Sequence, residues 1–260
     1  MDLATMLQTA PGQWGVYAQN LVSGQEVRWQ EHAVFPSAST IKVPILVELL
    51  RRVEEEHLSL DRCLVMRRED QVGGSGVLVD LTPGTRWRLR DLATLMITVS
   101  DNTATNLLID YLGVEAVNQT LRRLGLHDTY LVRRLERLPV AEGPGNRTTA
   151  ADLGHLMRLV ATGRCISQAV SDYVVRLLTR CQGPLLIAPA SSRPRFRGEP
   201  PAIRVAHKTG SLVDARHDVG IVYRVGRAPY VAAILSQGAP DEVLRRVALR
   251  VGRWVAHQMG

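Results

Sequence analysis

Lysine is nearly absent from this chain. Of its 32 basic side chains only Lys42 and Lys208 are lysines, and the rest are arginine. Where positive charge alone is needed, the sequence uses a guanidinium, which stays protonated. An amine is a compact charge that can lose its proton when buried. Two isolated lysines against that background mark places where an amine is chemically required.

Cysteine is also scarce. Cys63, Cys165 and Cys181 are odd in number and widely spaced, which argues against a disulfide framework. None forms a C-x-x-C pair, so structural zinc is not expected, and the three read as partly buried thiols without a catalytic role. No apolar run approaches the ~20 residues that a membrane span needs. The opening MDLATMLQTAPGQWG lacks the basic start and apolar run of an export signal. As written the chain reads as cytoplasmic, or as secreted or periplasmic if an export signal has been removed. The net charge is +7, but the arginines are scattered in pairs such as Arg51-Arg52 and Arg245-Arg246. No basic stripe with interleaved aromatics appears, so a solvated surface is expected rather than a nucleic-acid interface.

What remains is an ordinary globular composition, 45% hydrophobic and 22% charged over 260 residues, sufficient for a sizeable core. Residues 13–21 and 25–30 read as paired strands about a Ser23-Gly24 turn. From Ser39 to about Glu56 the pattern is helical and apolar nearly all round, as in a buried central helix; Pro44 lies in its first turns, where proline is tolerated. Residues 60–88 are turn-rich. Helices follow over 88–99, 103–112, 114–125, from Thr148 or Thr149 to about 162, and near 167–181. Residues 203–208, 219–225 and 230–236 read as strands, and a helix with Val243, Val247, Val251 and Val255 on one face closes the chain.

The expected fold is α/β, in the α+β sense: strands from both chain ends meet in one antiparallel sheet flanked by helices. A single domain over 1–260 is expected, with a sheet lobe of about 1–35 and 182–260 and a helical lobe of about 36–181.

Three short motifs carry chemistry. Ser39-Thr40-Ile41-Lys42 puts a serine and a lysine on one face at the start of the buried helix. A serine hydroxyl is a poor nucleophile unless a base takes its proton, and a desolvated amine can do so. The helix N-terminus adds positive potential for a developing oxyanion. Ser100-Asp101-Asn102 falls between two helices, where each residue type is also a common cap. His207-Lys208-Thr209-Gly210 ends a strand. S-x-x-K, S-D-N and K-T-G in that order form a signature set, and here the set uses both lysines.

On these motifs the chain resembles the class A β-lactamases, from about Trp14 to the last helix. The resemblance implies that Ser39 is the acylated nucleophile, Lys42 its proton-handling partner, and Ser100 a relay to the leaving nitrogen. Asn102 would bind a substrate side-chain amide, and Lys208 and Thr209 a substrate carboxylate, with Gly210 and Ser211 completing that wall. The backbone amides of Ser39 and Ser211 would form the oxyanion hole. The family also places a glutamate on a loop after S-D-N to activate the deacylating water; Arg134-Leu135-Glu136 matches its R-x-E, with Glu142 a second candidate. The loop departs from the family pattern. Val140 stands where an asparagine is expected, the loop is about two residues short, and Arg147 precedes Thr148-Thr149 where an aspartate is usual.

The implied activity is a serine β-lactamase working through an acyl-Ser39 intermediate on a small β-lactam or related acyl substrate. No cofactor, metal, nucleic acid or membrane span is expected, and the chain is expected to be a monomer. Two alternatives stand beside it: a peptidase, amidase or esterase of the same fold with slow or no β-lactam turnover, and a non-catalytic β-lactam-binding sensor.

Overall fold

In the computed structural model, which describes residues 2–135, 145–188 and 202–260, the two chain ends meet in one sheet. Helix α1 (Leu3–Gln8) precedes strands β1 (Gln13–Asn20), β2 (Glu26–Trp29) and the short β3 (Phe35–Pro36). Helix α2 (Lys42–Glu55) follows, then β4 (Cys63–Val65), β5 (Arg86–Arg88), α3 (Leu89–Thr98), α4 (Asn102–Leu112) and α5 (Val114–Arg123). Next come β6 (Arg147–Thr148), α6 (Ala150–Ala161), α7 (Gln168–Leu178), β7 (Ile203–Ser211), β8 (Ala215–Arg224), β9 (Arg227–Gln237) and α8 (Asp241–Gln258).

The main sheet has the order β2-β1-β9-β8-β7, antiparallel throughout. The period-two alternation of strands feeds two apolar clusters, one on each face. Along β9, Tyr230, Ala232 and Ile234 pack toward α1 and α8, where Leu3, Leu7, Leu244 and Val251 meet them. The intervening Val231, Ala233 and Leu235 face the larger cluster around α2, α3, α4 and α6, with Ile45, Leu49, Met96, Leu108 and Leu153. Helix α6 lies across β1, β8 and β9 on this second face.

Several details were not anticipated. Helix α1 has no strong periodic signal in so short a run, and its Asp2 cap, accepting from Thr5 N at 2.7 Å, fixes its start. The pairs β3–β6 and β4–β5 are too short for alternation to reveal. Strand β7 runs on to Ser211, so Lys208-Thr209-Gly210 lies within a strand rather than at its end. The helix expected from Ser39 starts as a single 3₁₀ turn, Ala38–Ile41, and becomes α-helical only at Lys42. No helix among the described residues is long and apolar enough to cross a membrane.

Helix α2 is the spine of the second cluster, and one carboxylate is buried in it. Glu48 is fully buried and accepts from Arg51 Nε at 2.7 Å, Arg52 Nε at 2.7 Å and Thr120 Oγ1 at 2.7 Å. Burial opposes its charge, but the donors of Arg51, Thr120 and Arg52 outweigh that and hold its pKa below the ordinary glutamate value. The network ties α2 to α5. Removing one member of such a set strands the others without their partner. Glu48→Ala is therefore expected to lower folding stability by about 3 kcal/mol, read as a shift of the urea midpoint; an unchanged midpoint would contradict the role.

Candidate active site

The serine of S-x-x-K sits on a strained turn. Ala38, immediately before it, has φ +46°, in the left-handed region. Thr40 N and Thr40 Oγ1 both bond back to Ser37 O, at 3.1 and 2.6 Å. In a 3₁₀ turn residues three apart eclipse one another, which puts Ser39 and Lys42 on one side of the chain, with the Lys42 amine bonded to Ser100 and Asn102. Pro44 is the third residue of α2, in the first turn, where a missing N–H costs no intrahelical bond. Ser39 is half-buried and lines a cavity of about 990 Å³.

Lys42 and Lys208 converge on Ser100. Both amines are fully buried. Lys42 Nζ donates to Ser100 O at 2.6 Å, Ser100 Oγ at 3.0 Å and Asn102 Oδ1 at 2.8 Å. Lys208 Nζ donates to the same Ser100 Oγ at 3.1 Å and to Thr209 O at 2.9 Å. Among the described residues no carboxylate pairs with either amine. Burial, then the charge of Lys208, drive the basicity of Lys42 well below that of an ordinary lysine, and burial lowers that of Lys208. A neutral Lys42 has the lone pair that a base requires.

Ser100 is also held in a left-handed conformation, φ +58°, and Asp101 is what holds it there. The buried Asp101 caps α4, Oδ1 accepting from Ala104 N at 2.8 Å. Its Oδ2 accepts from Val77 N at 2.7 Å and Leu78 N at 2.9 Å. Asn102 N donates to Ser75 O at 3.0 Å, and Asn102 Nδ2 to Gly73 O at 3.0 Å. The turn-rich segment 73–78 is thus laid along S-D-N as one wall of the cavity, a role not read from the sequence although its Gly73-Gly74-Ser75-Gly76 run is a visible turn signal. Gly76 is required there twice over: it has φ +104°, and a Cβ would fall 2.3 Å from Asp101 Cγ.

The opposite wall is β7, an edge strand. Leu212 N donates to Ala215 O at 2.9 Å, so by antiparallel alternation the N–H of Ser211 faces away from β8. Lys208, Thr209 and Ser211 line the cavity, and a Cβ on Gly210 would stand 3.1 Å from Ala38 Cβ, which shows how closely β7 passes the Ser39 turn. A Cβ on Gly183 would fall 2.1 Å from Thr209 Oγ1.

Two histidines brace this wall from behind, and neither role was read from the sequence. His217 Nδ1 accepts from Ser236 N at 3.2 Å, which leaves the proton on Nε2 to donate to Pro36 O at 2.8 Å. Burial takes its pKa down to about 4, so it stays neutral. His207 Nδ1 bonds Asp218 Oδ1 at 2.7 Å, and Asp218 Oδ2 accepts from Leu186 N at 2.7 Å. Burial opposes charge on His207, but Asp218 outweighs it and raises its pKa.

Glu136, Val140 and Glu142 lie outside the described residues. The ends of their loop are described. Asn146 Oδ1 accepts from Val132 N at 2.7 Å and Arg133 N at 3.0 Å, while Asn106 brackets Leu135, accepting from its N at 2.8 Å and donating to its O at 2.9 Å. Closure of the loop therefore rests on Asn146, one residue before the Arg147 singled out from the sequence. Arg147 instead lies over the Tyr130 ring at 4.6 Å.

Residues 1–256 match the beta-lactamase enzyme family. The chain belongs to that family. It is similar to the β-lactamase AST-1 of Nocardia asteroides, 33% identical over 95% of this chain and 80% of that one. Among solved structures it is similar to a β-lactamase from Sphaerobacter thermophilus, with TM-score 0.89 and 30% identity over 99% of this chain and 94% of that one. It is also similar to a leucine-to-glutamate mutant of PBP-A in an acyl-enzyme complex with penicillin G, with TM-score 0.81 and 30% identity over 96% of each chain. The class A likeness expected from the motifs thus holds for family and fold.

The Asp101–Gly76 contact gives a direct test of the wall it builds. Gly76→Ala must displace segment 73–78 from S-D-N, because both its φ and its space exclude a methyl group. The expected result is a fall of about tenfold or more in the rate of covalent labelling of the protein by penicillin, as for catalytic groups misplaced by about 1 Å. Wild-type labelling would show that the wall does not position Ser100 and Asn102.

Proposed function

We propose that this member of the β-lactamase family opens the β-lactam amide through an acyl-Ser39 intermediate. The observation that carries the reading is the hydroxyl of Ser100 held between the buried amines of Lys42 and Lys208, beside Ser39, on one cavity.

The steps balance on these groups. Ser39 Oγ attacks the carbonyl carbon while its proton passes to neutral Lys42. The oxyanion is met by the N–H groups of Ser39 and Ser211, donors already in place before charge develops. Collapse breaks the C–N bond. The nitrogen takes a proton from Ser100 Oγ, which is replenished by the Lys42 ammonium, and Lys42 ends neutral as it began. Lys208 and Thr209 hold the substrate carboxylate. Asn102 Nδ2 carries two protons; with one on Gly73 O, the other is left for the substrate side-chain amide.

Incubation with penicillin followed by intact-mass spectrometry tests the nucleophile. The adduct is expected on wild type and absent from Ser39→Ala; an adduct that survives the substitution refutes the assignment. Lys42→Arg keeps charge but offers no accessible neutral form. Labelling should then fall by about 10²–10⁴-fold, the range of a lost general base. In wild type the rate should fall as pH is lowered and Lys42 becomes protonated; a flat profile would speak against the amine as base.

Lys208 makes a separate claim. Loss of one charge-assisted contact is worth about 1.5–3 kcal/mol, which is about 10–100-fold. Lys208→Ala should cost carboxylate-bearing β-lactams that much in acylation efficiency and neutral esters less. Equal losses on both substrates would remove the carboxylate from its role.

A further inference from the structure

Folding turns arginines that are scattered in the sequence into one surface. On α8, Arg246, Arg250, Arg253 and His257 recur at i, i+4, i+7 and i+11, the spacing of one helical face. That face is turned from the core: Leu244, Ala248, Val251 and Val255 are buried, while these four side chains are exposed. The stripe is about 16 Å long. Among the described residues none of its three arginines is paired with a carboxylate, and the helix's own Asp241 is engaged by Arg216.

At the C-terminal end of α8 the stripe runs into a groove of about 370 Å³. Arg253 and His257 line it with Arg224, Val225 and Arg227, and no carboxylate side chain lines it among the described residues. Arg224 donates to Ala256 O at 2.9 Å and Met259 O at 2.8 Å, and Arg227 to Gly260 O, so the β8–β9 turn is fastened to the helix end. The β1–β2 turn is fastened there too: Asn20 Nδ2 donates to Met259 O at 3.0 Å, and Leu21 N to Pro229 O at 2.9 Å. Each turn carries a bare valine at its tip, Val22 being 77% exposed and Val225 73%. Single exposed apolar side chains are ordinary; these two stand together with a cationic groove at one end of the molecule.

A nucleic acid would use the arginines and leave the valines idle. A phospholipid surface uses both, because its phosphates accept from guanidinium groups and the layer beneath takes up aliphatic side chains. We propose that this end of the molecule docks on a bilayer of anionic phospholipid: Arg227, Arg250 and Arg253 meet headgroup phosphates, and Val22 and Val225 enter the acyl boundary. The protein lies on the membrane and does not span it. The attachment leaves the active cavity clear. Leu212 and Val213 line that cavity at the β7–β8 turn, and the whole of β8, Ala215–Arg224, separates that turn from the docking end, about 30 Å of strand.

Sedimentation with vesicles tests this. The intact chain should bind vesicles of mixed phosphatidylglycerol and phosphatidylcholine and not vesicles of phosphatidylcholine alone, and binding should weaken at about 0.5 M salt, where charge is screened. Arg250→Ala/Arg253→Ala should lower the partition coefficient by about tenfold or more, at about fivefold per arginine beside an anionic leaflet. Arg176→Ala/Arg180→Ala removes the same charge from exposed positions on and just after α7, across the sheet from α8, and should bind nearly as wild type does. Val22→Ser/Val225→Ser keeps every charge and should still cost about tenfold. All these side chains are exposed, and a thermal melt shows each variant folded. Equal losses in the α7 and α8 variants would reduce the attraction to net charge and overturn the proposal. Undiminished binding by the valine variant would overturn it as well, leaving attraction to any polyanion. So would a wild type that shows no preference for the anionic vesicles.

Discussion

Two buried amines share one serine hydroxyl, and the rest of the site follows from keeping them there. An ammonium group out of water is costly unless it is paired. Here pairing with a carboxylate would stabilise the protonated form. The acceptors supplied instead are neutral: the carbonyl and hydroxyl of Ser100, the amide oxygen of Asn102, and the carbonyl of Thr209. None of these acceptors carries a charge, so burial can depress both amines. That solution requires three separate chain segments, α2, the α3–α4 junction and β7, to converge on one oxygen atom.

Convergence of that kind is held by strain and by compensating packing. Ala38 and Ser100, on either side of the reacting hydroxyls, both adopt left-handed backbone, at a cost of about 1–3 kcal/mol each. The surroundings over-determine them. Asp101 bonds three backbone amides, His217 ties β8 to Pro36, and the first nine residues of α2 are buried, with Glu48 anchoring it to α5. Between them these contacts fix the N-terminal end of α2, the S-D-N junction and the edge strand as a single rigid frame, which preorganised catalysis needs.

The legible part of this design was chemical rather than geometric. Lys42 and Lys208 stood out because the sequence otherwise uses arginine, and the order of strands and helices was recoverable because alternation in β9 and all-round apolarity in α2 are local signals. The bracing contacts were not recoverable. Asp101 to Val77, His217 to Pro36 and Asp218 to Leu186 join residues 24, 181 and 32 positions apart, and nothing local distinguishes these side chains from a cap or a surface group. The glutamate loop shows the same limit from the other side. Glu136 of the R-x-E lies outside the described residues, and the described residues flanking it are held by Asn106 and Asn146, which lie outside the motif.

Asp101 shows how the same frame keeps a negative charge turned from Lys42. It is adjacent to Ser100 in the chain, and its charge does act on Lys42, raising the amine's basicity, but more weakly than burial and the charge of Lys208 lower it. The carboxylate is turned away: both oxygens are taken by backbone N–H groups, of Ala104 on one side and of Val77 and Leu78 on the other. Those bonds delocalise its charge onto peptide dipoles and, in the same act, build the wall along which Asn102 is aligned. A carboxylate free to rotate toward Lys42 would form the stronger pair and leave the amine protonated. Gly76 is what prevents that rotation from being favourable, because only a residue without Cβ lets the chain approach closely enough for Asp101 to find its donors. The lowered basicity of Lys42 is therefore coupled to a glycine on a different segment of the chain.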